Sequence, residues 1–288
     1  MSDWYAKYLP VYGKPFSEVS QDIIEGTKER LAALQSDHPI ASIVVIAYNE
    51  ERHLQACLWA LSEIKCKYPV EIIGVDNDSN DRTAEIFDKS GIPYYTEYRH
   101  SCGYARRCGL QHARGKYYFD VDSDTLYPPG YYELMLEELM KPDVVAVSAT
   151  WSYFPDANHS KLGLKLYGMC RDLFLWVQHF KRPELCVRGM VFAYNADYGR
   201  QEEYRVDIIR GEDGSMALSL KKYGKIKFVR DRRCMAVISC EAMGNQSVWQ
   251  RFVSNVKVQG KDITRIFFEK DYYEDSEDNL IKPKTEQS

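Results

Sequence analysis

The sequence predicts an α/β protein built on a mostly parallel sheet with helices on its faces. Three observations carry that expectation. Short β-branched runs alternate with helical patterns between residues 41 and 150, the loops joining them are brief, and the runs stop on polar, acid-rich residues. Such alternation is the pattern of right-handed crossovers onto one sheet, and ligands gather beyond the carboxyl ends of its strands. A chain of 288 residues, 45% hydrophobic and 28% charged, is long enough for one large domain of this kind or for a domain with an appended part.

Val19, Ile23, Ile24, Leu31 and Leu34 recur at helical spacing and predict an outer amphipathic helix over 17–35. Ile43-Val44-Val45-Ile46 is too short and too β-branched for a helix and predicts a buried strand. Asn49-Glu50-Glu51 then opens a helix with Leu54, Cys57, Leu58 and Leu61 on one face. A second strand over 70–75 ends in Asp76-Asn77-Asp78-Ser79-Asn80-Asp81, which leads into a helix through Ile86. A short strand over 93–96 and a helix over 103–113 follow, and Val144 to Ala149 forms a further strand. Beyond that the alternation decays. Helices are expected over 160–180, 212–223 and 246–268, strands over 186–194, 226–229 and 234–238, and a disordered acidic tail over 271–288.

The run Tyr117-Tyr118-Phe119-Asp120-Val121-Asp122-Ser123-Asp124-Thr125 predicts the fourth strand, ending on three acids at alternate positions before Pro128-Pro129-Gly130 breaks it. Carboxylates gathered there repel one another unless a cation lies between them, and a hard divalent ion that also holds phosphate oxygens suits the place. An EF-hand is excluded: counted from Asp120, its obligatory glycine and glutamate positions hold Thr125 and Tyr131. A solvated acidic loop capping the helix that starts near Gly130 accounts for the run, by itself, equally well.

A net charge of −4 offers no long-range attraction for nucleic acid. The eight cysteines are scattered without zinc spacing, as expected of reduced thiols in a cytoplasmic protein. The start of the chain lacks the pattern of a secretory leader, and the apolar cluster Leu173 to Val177 is far too short to span a bilayer.

Several short patterns fall in one order: Ile46-Ala47-Tyr48-Asn49-Glu50, Asp76-Asn77-Asp78-Ser79, Ala105-Arg106-Arg107-Cys108-Gly109 with Ala113-Arg114-Gly115, Asp122-Ser123-Asp124, and Arg210-Gly211-Glu212-Asp213-Gly214. This order resembles the family 2 glycosyltransferases, inverting enzymes of the GT-A fold that take a sugar from a nucleotide diphosphate donor. The resemblance covers 41–150 most closely and reaches about residue 223. It implies a Rossmann-like sheet over 41–240, with a nucleotide-sugar half (41–150) and an acceptor half (151–240). Residues 1–40 are then an N-terminal helical extension, 241–270 a C-terminal amphipathic helix, and 271–288 the tail.

The resemblance also implies roles. Ala47, Tyr48, Glu50 and Asp76 match positions that bind base and ribose, with Ala47 where the family often has proline. Arg106 would meet the diphosphate or the base; the next position is usually asparagine, and Arg107 here leaves two candidates for that contact. Asp122 and Asp124 look like the family's D-x-D pair, Asp122 reaching the ribose or the ion's water shell and Asp124 binding Mn²⁺ or Mg²⁺. Asp120, on the same strand face, would support the site. Asp213 matches the general base and Glu212 a residue that orients a sugar. Arg188-Gly189-Met190-Val191-Phe192 resembles a glycine-containing strand under the acceptor.

The expected partners are a UDP- or GDP-linked sugar and a glycan or lipid-linked acceptor. The basic amphipathic pattern over 246–268 is best explained by packing against its own domain with the lysine heads reaching water, and peripheral contact with the inner face of a membrane is the alternative. Two alternatives differ in class. A sugar-phosphate nucleotidyltransferase would carry a glycine-rich basic loop where this chain has Ala47-Tyr48-Asn49-Glu50, and a non-catalytic binding module on the same scaffold would lack the metal pair or the base.

Overall fold

The computed structural model describes residues 3–240 together with 279 and 280; the expected helix over 246–268 lies outside them. The expected order of elements is present. Helix α1 (Gln21–Leu34) buries Ile24, Thr27 and Leu31. It is followed by β1 (Ala41–Ala47), α2 (Leu54–Ser62), β2 (Val70–Asp76), α3 (Thr83–Ser90), β3 (Tyr94–Thr96), α4 (Cys102–His112) and β4 (Tyr117–Asp122). Every residue of β1 and β2 is buried, because helices cover both faces of the sheet. Alternate side chains of β1 therefore feed two cores. Ile43 and Val45 pack with Leu54 and Leu58 on one face, while Val44 and Ile46 pack with Ala105 and Cys108 on the other.

The main sheet has seven strands in the order β3-β2-β1-β4-β8-β6-β9, where β6 is Val144–Ala149, β8 is Phe192–Asn195 and β9 is Lys225–Val229. Strands β1, β2, β3 and β4 run parallel, and the register sets Ala47 beside Asp76 and Ile46 beside Asp122. Their carboxyl ends thus share one edge.

Strand β8 enters between β4 and β6 in the opposite sense, with Phe119 opposite Ala193 and Tyr117 opposite Asn195. Because of that reversal, the residues just before β8 continue past the carboxyl end of β4. A single strand over 186–194 was expected; short 3₁₀ turns over 183–186 and 189–191 precede the four-residue strand instead. Three further elements carry no period long enough to read: β5 (Thr125–Leu126), β7 (Trp151–Tyr153) and α7 (Ala196–Glu202). The two strands join β10 (Ala236–Ile238) in a small second sheet, β5-β10-β7. Helices α5 (Tyr131–Leu139), α6 (Lys161–His179) and α8 (Glu212–Leu220) complete the described chain.

The N-terminal extension packs onto the domain at the acidic loop. Tyr8 and Val11 are buried with Ala56, Ala60 and Leu126, and the Tyr12 hydroxyl donates to the Asp124 carbonyl at 2.7 Å. Within the stretch expected to be a disordered tail, the two described residues, Asn279 and Leu280, pair with the chain at 208–210. Ile209 N–H donates to the Asn279 carbonyl at 2.8 Å, and Leu280 bridges Ile208.

Candidate active site

A cavity of about 780 Å³ opens at the carboxyl edge of β1, β2 and β4. This is the size range of pockets that enclose small organic ligands. Its lining includes Ala47, Tyr48, Glu50, Arg106, Asp122, Asp124, Glu212 and Asp213, so eight of the residues singled out in the sequence converge there. Tyr48 is 48% exposed, with its ring edge-on to His100 at 5.3 Å, which leaves an accessible aromatic surface at the mouth.

Asp76 is buried and does not line the cavity; its carboxylate accepts from the Ser79 backbone N–H at 3.3 Å. Turn chemistry holds it, and its neighbour Asn77 takes the place at the wall, donating to the Glu97 and Arg99 carbonyls at 2.7 and 2.9 Å.

Arg106 also departs from expectation. Rather than presenting its fork to a ligand, it is 3% exposed and spends all three nitrogens on carboxylates. Nη1 donates to Asp120 at 3.0 Å, Nη2 to Asp122 at 2.8 Å and Nε to Glu212 at 3.2 Å. One guanidinium on α4 therefore ties the end of β4 to the start of α8. Burial alone would favour its neutral form, but the three acids outweigh that and hold its pKa well above the ordinary value. Burial pushes Asp120 up to about 7, while Arg106 and the Tyr204 hydroxyl at 2.5 Å pull it down. Glu212 is raised chiefly by burial as well. Arg107 points elsewhere, donating to the Tyr204 carbonyl at 2.7 Å, so of the two arginines only Arg106 lines the cavity.

Gly189 explains why this cluster closes. A Cβ there would stand 1.9 Å from Arg106 Nη2, so only glycine lets the 189–191 turn cross the guanidinium. Gly189→Ala is expected to force Arg106 off its acids and lower stability by about 1–3 kcal/mol, as overpacking of a filled site does; urea unfolding checks this.

The opposite wall starts at Gly211, whose φ of 92° turns the chain into α8. Glu212 points into the arginine cluster, and Asp213 faces the cavity with its carboxylate accepting from the Gly214 N–H at 2.8 Å. Across from it, burial followed by repulsion from Asp122 and Glu50 pushes Asp124 up to about 7. Excess negative charge made of hard oxygen donors is a fit for Mn²⁺ or Mg²⁺ and a poor one for softer ions.

Arg182, Arg188 and Arg210 line the cavity too and were not foreseen as site residues, although the 188–192 pattern had been singled out. They come from the irregular second half, where spacing carries little information. One other group of potential ligands, Asp156, His159 and Cys240, converges within 4.8 Å outside this lining.

Residues 42–248, well over half of the chain, match the Glycosyl transferase family 2 profile. The chain belongs to glycosyltransferase family 2. This family 2 glycosyltransferase is 28% identical over 131 residues to an uncharacterized glycosyltransferase of Methanocaldococcus jannaschii, a match covering 43% of this chain and 45% of that one. The chain spans less than half the length of the curated relatives it matches.

Two solved structures share the fold. The mannosyltransferase PcManGT of Pyrobaculum calidifontis, in complex with GDP-Man and Mn²⁺, superposes with a TM-score of 0.56 at 18% identity, covering 91% of this chain and 76% of that one. Glucosyl-3-phosphoglycerate synthase of Mycobacterium tuberculosis, in complex with Mn²⁺, uridine-diphosphate-glucose and phosphoglyceric acid, gives 0.50 at 17% identity over 91% and 89%. The sheet of the family 2 glycosyltransferase is thus a GT-A sheet.

Proposed function

We propose that this protein transfers a sugar, with inversion, from a nucleotide diphosphate donor to a hydroxyl of a glycan or lipid-borne acceptor. The observation that carries this reading is the meeting, in one cavity, of a carboxylate cluster fit for a divalent ion and a separate carboxylate, Asp213, at a helix start. Tyr48 offers a flat surface for the base. Asp122 and Asp124 would hold Mn²⁺ or Mg²⁺, which when bound supplies Lewis-acid stabilisation of the departing diphosphate. Arg188 and Arg210 add positive charge on the same cavity for phosphate oxygens, while Arg182 is tied to the buried Glu184.

Asp213 takes the proton from the acceptor hydroxyl as that oxygen attacks the face of the sugar opposite the leaving group. The start of α8 favours its ionised form, because the helix dipole is positive there. Glu212, held by Arg106, fixes where Asp213 stands. The ligands of PcManGT and of the synthase, GDP-Man and uridine-diphosphate-glucose, support GDP- and UDP-sugars as the donors to try first.

Calorimetry with GDP and UDP, each with and without Mn²⁺, tests the reading. Affinity is expected to rise with Mn²⁺ in the wild type and to lose that dependence in Asp124→Ala. Equal affinities in the two proteins would remove Asp124 from the ion site.

A further inference from the structure

Helix α6 is turned inside out. It buries Leu164, Tyr167, Arg171, Leu175 and Gln178, and presents the more apolar face to solvent. Leu162, Leu166, Met169, Leu173, Trp176 and Phe180 follow one another at steps of four and three residues, and each is between 40% and 68% exposed. Isolated exposed leucines are ordinary on a monomer, but a continuous stripe along a helix of 19 residues is a contact surface awaiting an occupant.

Charge distinguishes the occupants. The one acid of α6, Asp172, is neutralised by Arg171 at 2.7 Å. Lys165, Lys181 and Arg230 are exposed around the stripe, and the two lysines have no carboxylate partner among the described residues. Arg230 lies over the Trp176 ring at 5.3 Å. A second copy is a poor match. Paired as a coiled coil on this four-three stripe, the flanking positions would be Gly163, Cys170 and Val177 on one side and Lys165, Asp172 and His179 on the other, so no charge pair crosses a parallel seam, and across an antiparallel one Lys165 would meet only Asp172, which Arg171 already holds. An apolar face with aromatic residues at one end and lysines at its borders is instead the arrangement that sinks into a bilayer interface, the lysine heads reaching anionic headgroups. No described helix is long and apolar enough to cross a membrane, so the contact is one of lying on the surface.

We infer that the exposed face of α6 docks this protein on an anionic lipid surface. Gln178, on the buried side of the same helix, lines the cavity together with Asp122 and Asp213, so docking sets the cavity one helix diameter from the lipid. That a lipid carries the acceptor hydroxyl follows only if the sugar-transfer reading holds; the lipid contact itself does not depend on it.

Co-sedimentation of the full chain with vesicles of phosphatidylcholine, with and without one third phosphatidylglycerol, is the test. Binding is expected with phosphatidylglycerol and should weaken in high salt. Leu166→Glu/Leu173→Glu should lower the partition about tenfold or more, as expected when two charges enter the apolar face. Its melting temperature and its Mn²⁺-dependent nucleotide affinity should not change. Lys165→Glu/Lys181→Glu, which leaves the apolar face intact, should abolish the preference for the anionic vesicles. Wild-type protein that stays in the supernatant overturns the inference. So does a dimer in sedimentation velocity that the leucine variant dissociates, since a second copy then covers the face. A leucine variant that melts early, beside a monomeric wild type that ignores vesicles, assigns the face to other residues of the same chain. Loss of nucleotide binding with vesicle binding intact would instead count against the sugar-transfer reading alone.

Discussion

Arg106→Met is expected to lower the unfolding free energy by about 3–5 kcal/mol, the range seen when one partner is removed from a buried ion cluster. The methionine fills a similar volume, so the loss is electrostatic. Asp120, Asp122 and Glu212 would be left facing one another with no cation, two of them almost without access to water. The pH dependence separates this cause from a packing defect. In the wild type Asp120 holds its proton up to about 7 against an ordinary value of 3.8. The folded state therefore binds a proton that the unfolded state has released, and stability falls as pH rises between those values. Removing the guanidinium raises the folded value further and extends that fall to higher pH. Urea unfolding at about pH 6 and about pH 8 should show a larger gap between variant and wild type at the higher pH. An equal gap at both would mean that the charges are not the cause.

Asp213→Asn is expected to leave donor binding intact and to slow transfer by a factor on the order of a hundred or more, the usual contribution of a positioned general base. Asparagine keeps the size and the contact with the Gly214 N–H through its carbonyl oxygen, but cannot accept the proton. Its site differs from that of Glu212: Asp213 has no contact with Arg106 among the described interactions, so the substitution should not unsettle the cluster. Calorimetry with nucleotide and Mn²⁺ should match the wild type while product formation falls. Full transfer by this variant would take Asp213 out of the reaction.

The first half of the fold was legible because each parallel strand is buried on both faces and so reads as an unbroken apolar run, as Ile43 to Ile46 does. Asp122 and Asp124 were legible because they close such a run, whereas Glu212 and Asp213 open a helix and stood out only through the order of motifs that the family shares. What could not be read was direction. Arg106 looks like a surface cation on a helix, and nothing in its neighbours along the chain reveals that Asp120 and Glu212 will enclose it from fourteen and 106 positions away. Asp76 shows the same limit: its place at a strand end was legible, but not that its carboxylate would accept from the Ser79 N–H while Asn77 stands at the cavity wall. In the second half, the turn over 189–191 sits inside an apolar stretch that mimics a strand, and strands of two or three residues such as β5 and β7 are shorter than any period.

Tyr12 has a bearing on where the working unit is bounded. Its hydroxyl grips the main chain at Asp124, and Tyr8 and Val11 seal the ground beneath. The arm that carries no recognisable signature is thus a buttress of the acidic loop after β4, and a fragment trimmed to the family's borders at residue 42 would keep every acid of the cavity while losing the strut beneath one of them.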